Sequence, residues 1–167
     1  MKRFLLCLPI LLASCAASPQ TTVDPVLYET VSSLSTLGIM GRAMSQSPDI
    51  LKAIQGDQPV TVLLLRDQTL EGLMRSKNTT AQTYFASSEG QTFLKNHLVT
   101  SSIFGSGTFT SLGGLIWTVD PDTVPPYGPF VVNGQDSEGC YQTVSSASPA
   151  GHLDALCWIK GDITAGK

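Results

Sequence analysis

Apolar residues in this chain change their spacing near Thr100. Before that point they recur at the interval of about 3.6 residues that lines one face of a helix, and after it they fall into short runs of strand length. The switch predicts an α+β chain, with helices mainly in the first half and a β-rich second half. Val26, Leu27, Val31, Leu34 and Leu37 share helical spacing, with Gly38 as the expected stop. Ser47-Pro48-Asp49 offers an N-cap, a proline at the first helical position and an acid in the first turn, ahead of Ile50, Leu51 and Ile54. One strand interrupts the helices: Val60 to Leu65 is a continuous aliphatic run, as expected of a strand buried on both faces. Asp67 is placed to cap the helix that carries Leu70, Leu73 and Met74. Residues 75–86 read as a loop entering another helix. Ser88-x-x-Gln91 has the pattern of a capping box, leading into Phe93, Leu94, His97 and Leu98.

Beyond Thr100, strands are expected at Ile103-Phe104, Thr108 to Thr110, Leu115 to Val119, Phe130 to Val132, Tyr141 to Val144 and Leu153 to Ile159. Glycines and prolines punctuate them, and Asn133-Gly134 is a strong hairpin signal.

The first fifteen residues follow a different logic. Lys2 and Arg3 open the chain, Phe4 to Leu12 is apolar apart from Pro9, and Ala13 and Ser14 are small. A basic start, a short apolar core and small residues before a cut describe a secretory signal, and the run is shorter than the roughly 20 residues a lasting membrane span needs. Leu12-Ala13-Ser14-Cys15 resembles the lipobox of bacterial lipoproteins. That resemblance implies cleavage between Ser14 and Cys15 and acylation of Cys15. Several acyl chains on one residue give stable membrane attachment, where one chain gives only a marginal hold. Ala16 stands where an aspartate would imply inner-membrane retention, so the resemblance points to the outer membrane, periplasmic or surface-exposed. Residues 15–24 then read as an acylated polar tether.

Removing residues 1–14 from the 167 leaves 153, enough for one domain with a substantial core. It also removes Lys2 and Arg3, leaving 8 basic residues against 13 acids, a net charge of −5. With charged residues at 14% and no basic stripe, a nucleic-acid partner is not expected. Cys7 leaves with the signal and Cys15 is the lipid site, so Cys140 and Cys157 remain. An oxidising compartment makes a Cys140–Cys157 disulfide the default, with two reduced, buried thiols as the alternative. His97 and His152 lack the close ligand spacing that a zinc site would need with these cysteines, so neither a metal nor a cofactor is expected.

Three segments resemble motifs of the fasciclin domain. Val60-Thr61-Val62-Leu63-Leu64-Leu65-Arg66-Asp67-Gln68-Thr69-Leu70 is similar to its first motif, an apolar strand followed by Asp and a helix. Phe93-Leu94-Lys95-Asn96-His97-Leu98-Val99 is similar to its second, a helix ending at a His before an apolar pair. Ser111-Leu112-Gly113-Gly114, with Leu115 to Val119, is similar to the Leu–Gly element that follows. The likeness spans residues 25–163 and implies a β-sandwich or wedge with packed helices. Leu63-Leu64-Leu65-Arg66 departs from the family's usual Phe-Ala-Pro-Thr, and Ala150-Gly151-His152-Leu153-Asp154 matches the closing element loosely.

Individual residues favour structural roles. Asp67 reads as a cap more than as part of an adhesive surface. His97 lies among apolar neighbours, as a core histidine bonded to backbone does. His152 and Asp154 fall on one face of a strand, and Ser137, Ser145 or Ser148 could complete a nucleophilic triad, but no Gly-x-Ser-x-Gly elbow exposes any of them. Gly105-Ser106-Gly107 lacks the length and lysine of a phosphate loop. Trp117 and Trp158 sit at strand positions, as core residues more than as a sugar platform. The expectation is a lipid-anchored, extracytoplasmic binding module for adhesion to a protein or carbohydrate partner, not an enzyme. The alternatives are an envelope hydrolase, a small-ligand-binding lipoprotein, or a structural envelope lipoprotein.

Overall fold

The computed structural model describes residues 34–56, 58–103, 106–120, 130–142 and 153–164. The signal, the lipobox with Ser14 and Cys15, the tether, and the helix expected from Val26 to Val31 lie outside the described residues, as do Ser145, Ser148 and His152. A helical turn at residues 34–36 leads into five helices: α1 (Gly38–Met44), α2 (Pro48–Ile54), α3 (Asp67–Ser76), α4 (Ala81–Ala86) and α5 (Ser88–Asn96). Seven strands accompany them: β1 (Val60–Leu65), β2 (Leu98–Val99), β3 (Gly107–Thr110), β4 (Ile116–Val119), β5 (Val131–Val132), β6 (Gln135–Gln142) and β7 (Leu153–Ile159). The class is α+β. The helices are not mainly in the first half, however: they continue to Asn96, past the middle of the chain, with β1 among them.

The strands form one mixed sheet in the order β2-β1-β7-β6-β5-β4-β3. It is a single sheet curled into a half-barrel, where the resemblance implied a β-sandwich or wedge. β1 runs parallel to β7, while β2 and β1, and every neighbour from β7 to β3, pair antiparallel. The curl brings the two ends of the sheet together at one corner, where Val99 bridges Ser111 and the Leu112 amide donates to the Leu98 carbonyl at 2.8 Å. β1 lies between β2 and β7, and all six of its residues are buried, which is why its sequence is continuously apolar apart from Thr61. Thr61 satisfies its hydroxyl by donating to the Ser101 carbonyl at 2.9 Å. On the outer strands the burial alternates. In β4, Trp117 and Val119 point inward while Ile116 and Thr118 face out.

Several boundaries differ from the sequence reading for local reasons. Gly38 begins α1 instead of ending a helix; its φ of +87° breaks the chain between the turn at 34–36 and α1. Ser47 precedes α2 but makes no side-chain cap; its hydroxyl donates across the fold to Gln91 Oε1 at 2.9 Å. Ser87, not Ser88, caps α5 by accepting from the Gly90 amide at 3.1 Å, and Gln91 is engaged elsewhere. The stretch read as a loop from 75 holds the end of α3 and all of α4, whose N-cap is Thr80. Ile103 is buried outside any strand, and Phe104 is outside the described residues. The Asn133-Gly134 turn is present, with φ of 50° and 77°, and β6 starts directly after it.

Candidate functional site

The three segments that resemble fasciclin motifs converge on the C-terminal end of α5. A helix leaves its last carbonyls without intrahelical donors, and each must find a partner if the end is buried. Here the donors come from the other two segments. The Gly113 amide donates to the Lys95 carbonyl at 3.2 Å, and the Trp117 indole donates to the Asn96 carbonyl at 2.8 Å. The Leu63 amide of β1 donates to the His97 carbonyl at 2.8 Å. Ser111 donates to Asn96 Oδ1 at 3.2 Å and accepts the Leu115 amide at 2.8 Å, fixing the β3–β4 turn against the helix.

His97 sits at the centre of this junction and is fully buried. Its Nδ1 lies 2.8 Å from the Phe93 carbonyl, a bond that makes Nδ1 the protonated nitrogen, and the Phe93 ring packs at 4.4 Å between centroids. Among the described residues Nε2 has no hydrogen-bond partner. Burial pushes the imidazole down to about 4, against the opposing pull of the Phe93 carbonyl and the Asp162 carboxylate. A neutral ring sealed from solvent cannot exchange protons with a substrate, so His97 here organises backbone.

Asp67 does not cap the helix it opens; α3 has no side-chain cap. Its Oδ1 instead accepts the Ile39 amide of α1 at 2.8 Å, a cap supplied across the fold. A Cβ on Gly38 would collide with that carboxylate, so the glycine serves both the backbone angle and the approach.

Cys140 and Cys157 form a disulfide across the register pair of β6 and β7. Arg66 pairs with Glu138 on β6, and its guanidinium lies 5.4 Å over one face of the Trp158 ring. Trp117 is wholly buried. Ser137 is buried and its hydroxyl accepts the Phe130 amide at 2.8 Å, so among the proposed triad serines it has a structural assignment.

A cleft of about 370 Å³ opens beside the junction, lined by Lys77, Tyr84, Glu89, Asn96 and Asp162 among others. Its polar groups largely pair with one another. Glu89 accepts from Lys77 Nζ at 2.8 Å and from Tyr84 Oη at 3.4 Å. Burial, with Glu89 beside it, pushes the Tyr84 phenol up to about 12, and Lys77 holds the Glu89 carboxyl below its usual range. Asp162 Oδ1 accepts both the amide and the hydroxyl of Thr164, at 2.8 and 2.6 Å. Among the described residues no three His, Cys, Asp or Glu side chains converge as a metal site requires. Sequence reasoning found His97 but gave Asn96 and Ser111 no role, since their only signal was polarity at a helix end and a turn, and it gave Gln91 a capping role where it instead bonds Ser47 and the Phe85 carbonyl.

Neither a family model nor a curated protein matches the chain.

Proposed function

We propose that the chain is a lipid-anchored, extracytoplasmic module with a fasciclin-like fold that works by binding a protein or carbohydrate partner at the cell envelope. The observation that carries the reading is Leu12-Ala13-Ser14-Cys15 at the end of a basic-then-apolar leader, because it sets where the domain is displayed. The fasciclin-like fold is supported by the way the three motif-like segments meet, with His97 and its neighbours serving as shared scaffold. Among the described residues the exposed large apolar side chains are Leu112 and Ile116, which flank one hairpin turn and offer a small contact surface. Function does not follow from fold alone, so the adhesive role rests on the resemblance.

Mass spectrometry of protein recovered from its native membrane tests the anchor. An acylated N-terminal Cys15 is expected, and an unmodified N-terminus at Ala16 would overturn it. For the partner, capture from an envelope extract should recover a component lost when Leu112 and Ile116 are both changed to Ser. Equal recovery by that variant would place the contact elsewhere.

A further inference from the structure

We propose that the groove between α1 and the α4–α5 corner binds a small monocarboxylate with an apolar body. The groove encloses about 610 Å³, within the range of roughly 300–1,000 Å³ usual for small-molecule sites. Its apolar lining comes from Ile39 and Ala43 of α1 and Ala81, Phe85 and Ala86 of α4, with Phe85 buried and Ala86 at the exposed edge. Three of these five are alanines, and their short side chains are what leave the space open. The rim is polar, with Arg42, Gln46 and Gln82.

Charge selects the ligand's sign. Arg66, Arg75, Lys77, Lys95 and Lys160 each pair with a carboxylate of the chain. Among the described residues Arg42 and Lys52 form no ion pair; Lys52 shares its cleft with Asp49, whereas no described carboxylate lines the groove of Arg42. Two further clefts among the described residues differ: one holds Glu89 and Asp162, the other Asp49. A cation in the last turn of α1 also suits the helix dipole, but that effect needs no apolar cavity beside it. A guanidinium at the rim of an apolar groove matches a carboxylate by its fork of donors while the groove takes the hydrocarbon.

The walls are held before any ligand arrives. Asp67 fixes the start of α1 through the Ile39 amide. Gln91 joins the two sides, donating from Nε2 to the Phe85 carbonyl at 2.6 Å and accepting the Ser47 hydroxyl at 2.9 Å. Gly90 lets α5 lie against the Tyr84–Phe85 backbone, where any Cβ would collide. A preformed groove avoids much of the ordering cost of binding.

The test is a titration of the purified Cys15→Ser protein with sodium decanoate, below its micellar range, followed by NMR shifts at Ala43, Ala81 and Ala86. The variant carries no acyl group, so the outcome is independent of the anchor and of any adhesive partner. Decanoate should bind about tenfold more tightly than decyltrimethylammonium and far more tightly than acetate. Arg42→Gln should remove that preference for the anion, and Ala86→Trp, which fills the groove from an exposed position, should remove binding. Equal affinity for the two amphiphiles, an unchanged preference in Arg42→Gln, or shifts confined to other parts of the chain would each overturn the proposal.

Discussion

At the scale of single residues, Asp67 carries the clearest consequence. An acid one step after a strand and at the start of a helix reads locally as that helix's cap, yet its oxygen accepts the Ile39 amide 28 residues earlier. Asp67→Ala should therefore destabilise the fold by about 1 kcal/mol, the usual worth of an N-cap, while Asp67→Asn, which keeps an acceptor, should be nearly neutral. Hydrogen exchange locates the effect: the Ile39 amide should lose protection and the first turn of α3 should not. Gly38→Ala should cost more, about 1–3 kcal/mol, because it strains a φ of +87° and drives a Cβ into the carboxylate. Urea unfolding of the double variant tests whether both act at one contact. Its cost should fall short of the two single costs combined, since removing the carboxylate relieves part of the collision.

At the scale of elements, the end of α5 behaves as a socket filled by donors from distant segments. Trp117→Phe keeps most of the ring volume but deletes the donor to the Asn96 carbonyl, leaving a partly buried acceptor unpaired. A loss of about 1–3 kcal/mol in chemical unfolding is expected, with the sheet intact by circular dichroism. The β6–β7 pair is stapled by its disulfide, which closes a segment with a sequence separation of 17. Replacing Cys140 and Cys157 together by Ser should cost roughly 3 kcal/mol on the chain-entropy account, and non-reducing peptide mapping of the parent should recover the joined pair. What sequence could show at this scale follows from what is encoded locally. Val60 to Leu65 was legible because a strand buried on both faces is continuously apolar, and Asn133-Gly134 because its turn needs two positive φ values. β2 was not, since two residues become a strand only by pairing with β1. α4 escaped because six residues, Ala-Gln-Thr-Tyr-Phe-Ala, show too little of a helix face to register a period. Ser88 and Gln91 matched a capping box by spacing, yet Ser87 was better placed to cap and Gln91 had a partner across the fold. In the candidate site His97 stood out by its apolar company; Asn96 and Ser111 did not, because their partners lie 21 and 15 residues away.

At the scale of the whole molecule, His97 ties stability to pH. The segments that hold β1, α5 and the β3–β4 turn together all meet beside its ring, so protonating it in place would break the junction instead of loosening one side chain. In the fold its imidazole is pushed down to about 4 by burial, from an ordinary value near 6.5 in the unfolded chain. Between those values the unfolded chain binds one more proton than the fold, so stability rises with pH across that window. The contribution is present in full above about pH 6.5, declines as pH falls, and is spent near pH 4. The slope is about 1.4 kcal/mol per pH unit, so about 3 kcal/mol is at stake. Asp49 and Glu89 respond in a separate range. Lys95 and Lys77 hold their carboxyls below the usual values, so what they add is present above about pH 4.5 and is lost only as pH falls further. Among the described residues the interval from about pH 6.5 to 4.5 therefore isolates His97. Urea unfolding across it should show the parent losing stability steadily, while His97→Leu, less stable at neutral pH because its carbonyl partner on Phe93 is orphaned, should give a nearly flat profile. Parallel slopes in the two proteins would mean that the imidazole takes up its proton inside the fold, and the sealed junction would have to be redrawn with a path to solvent.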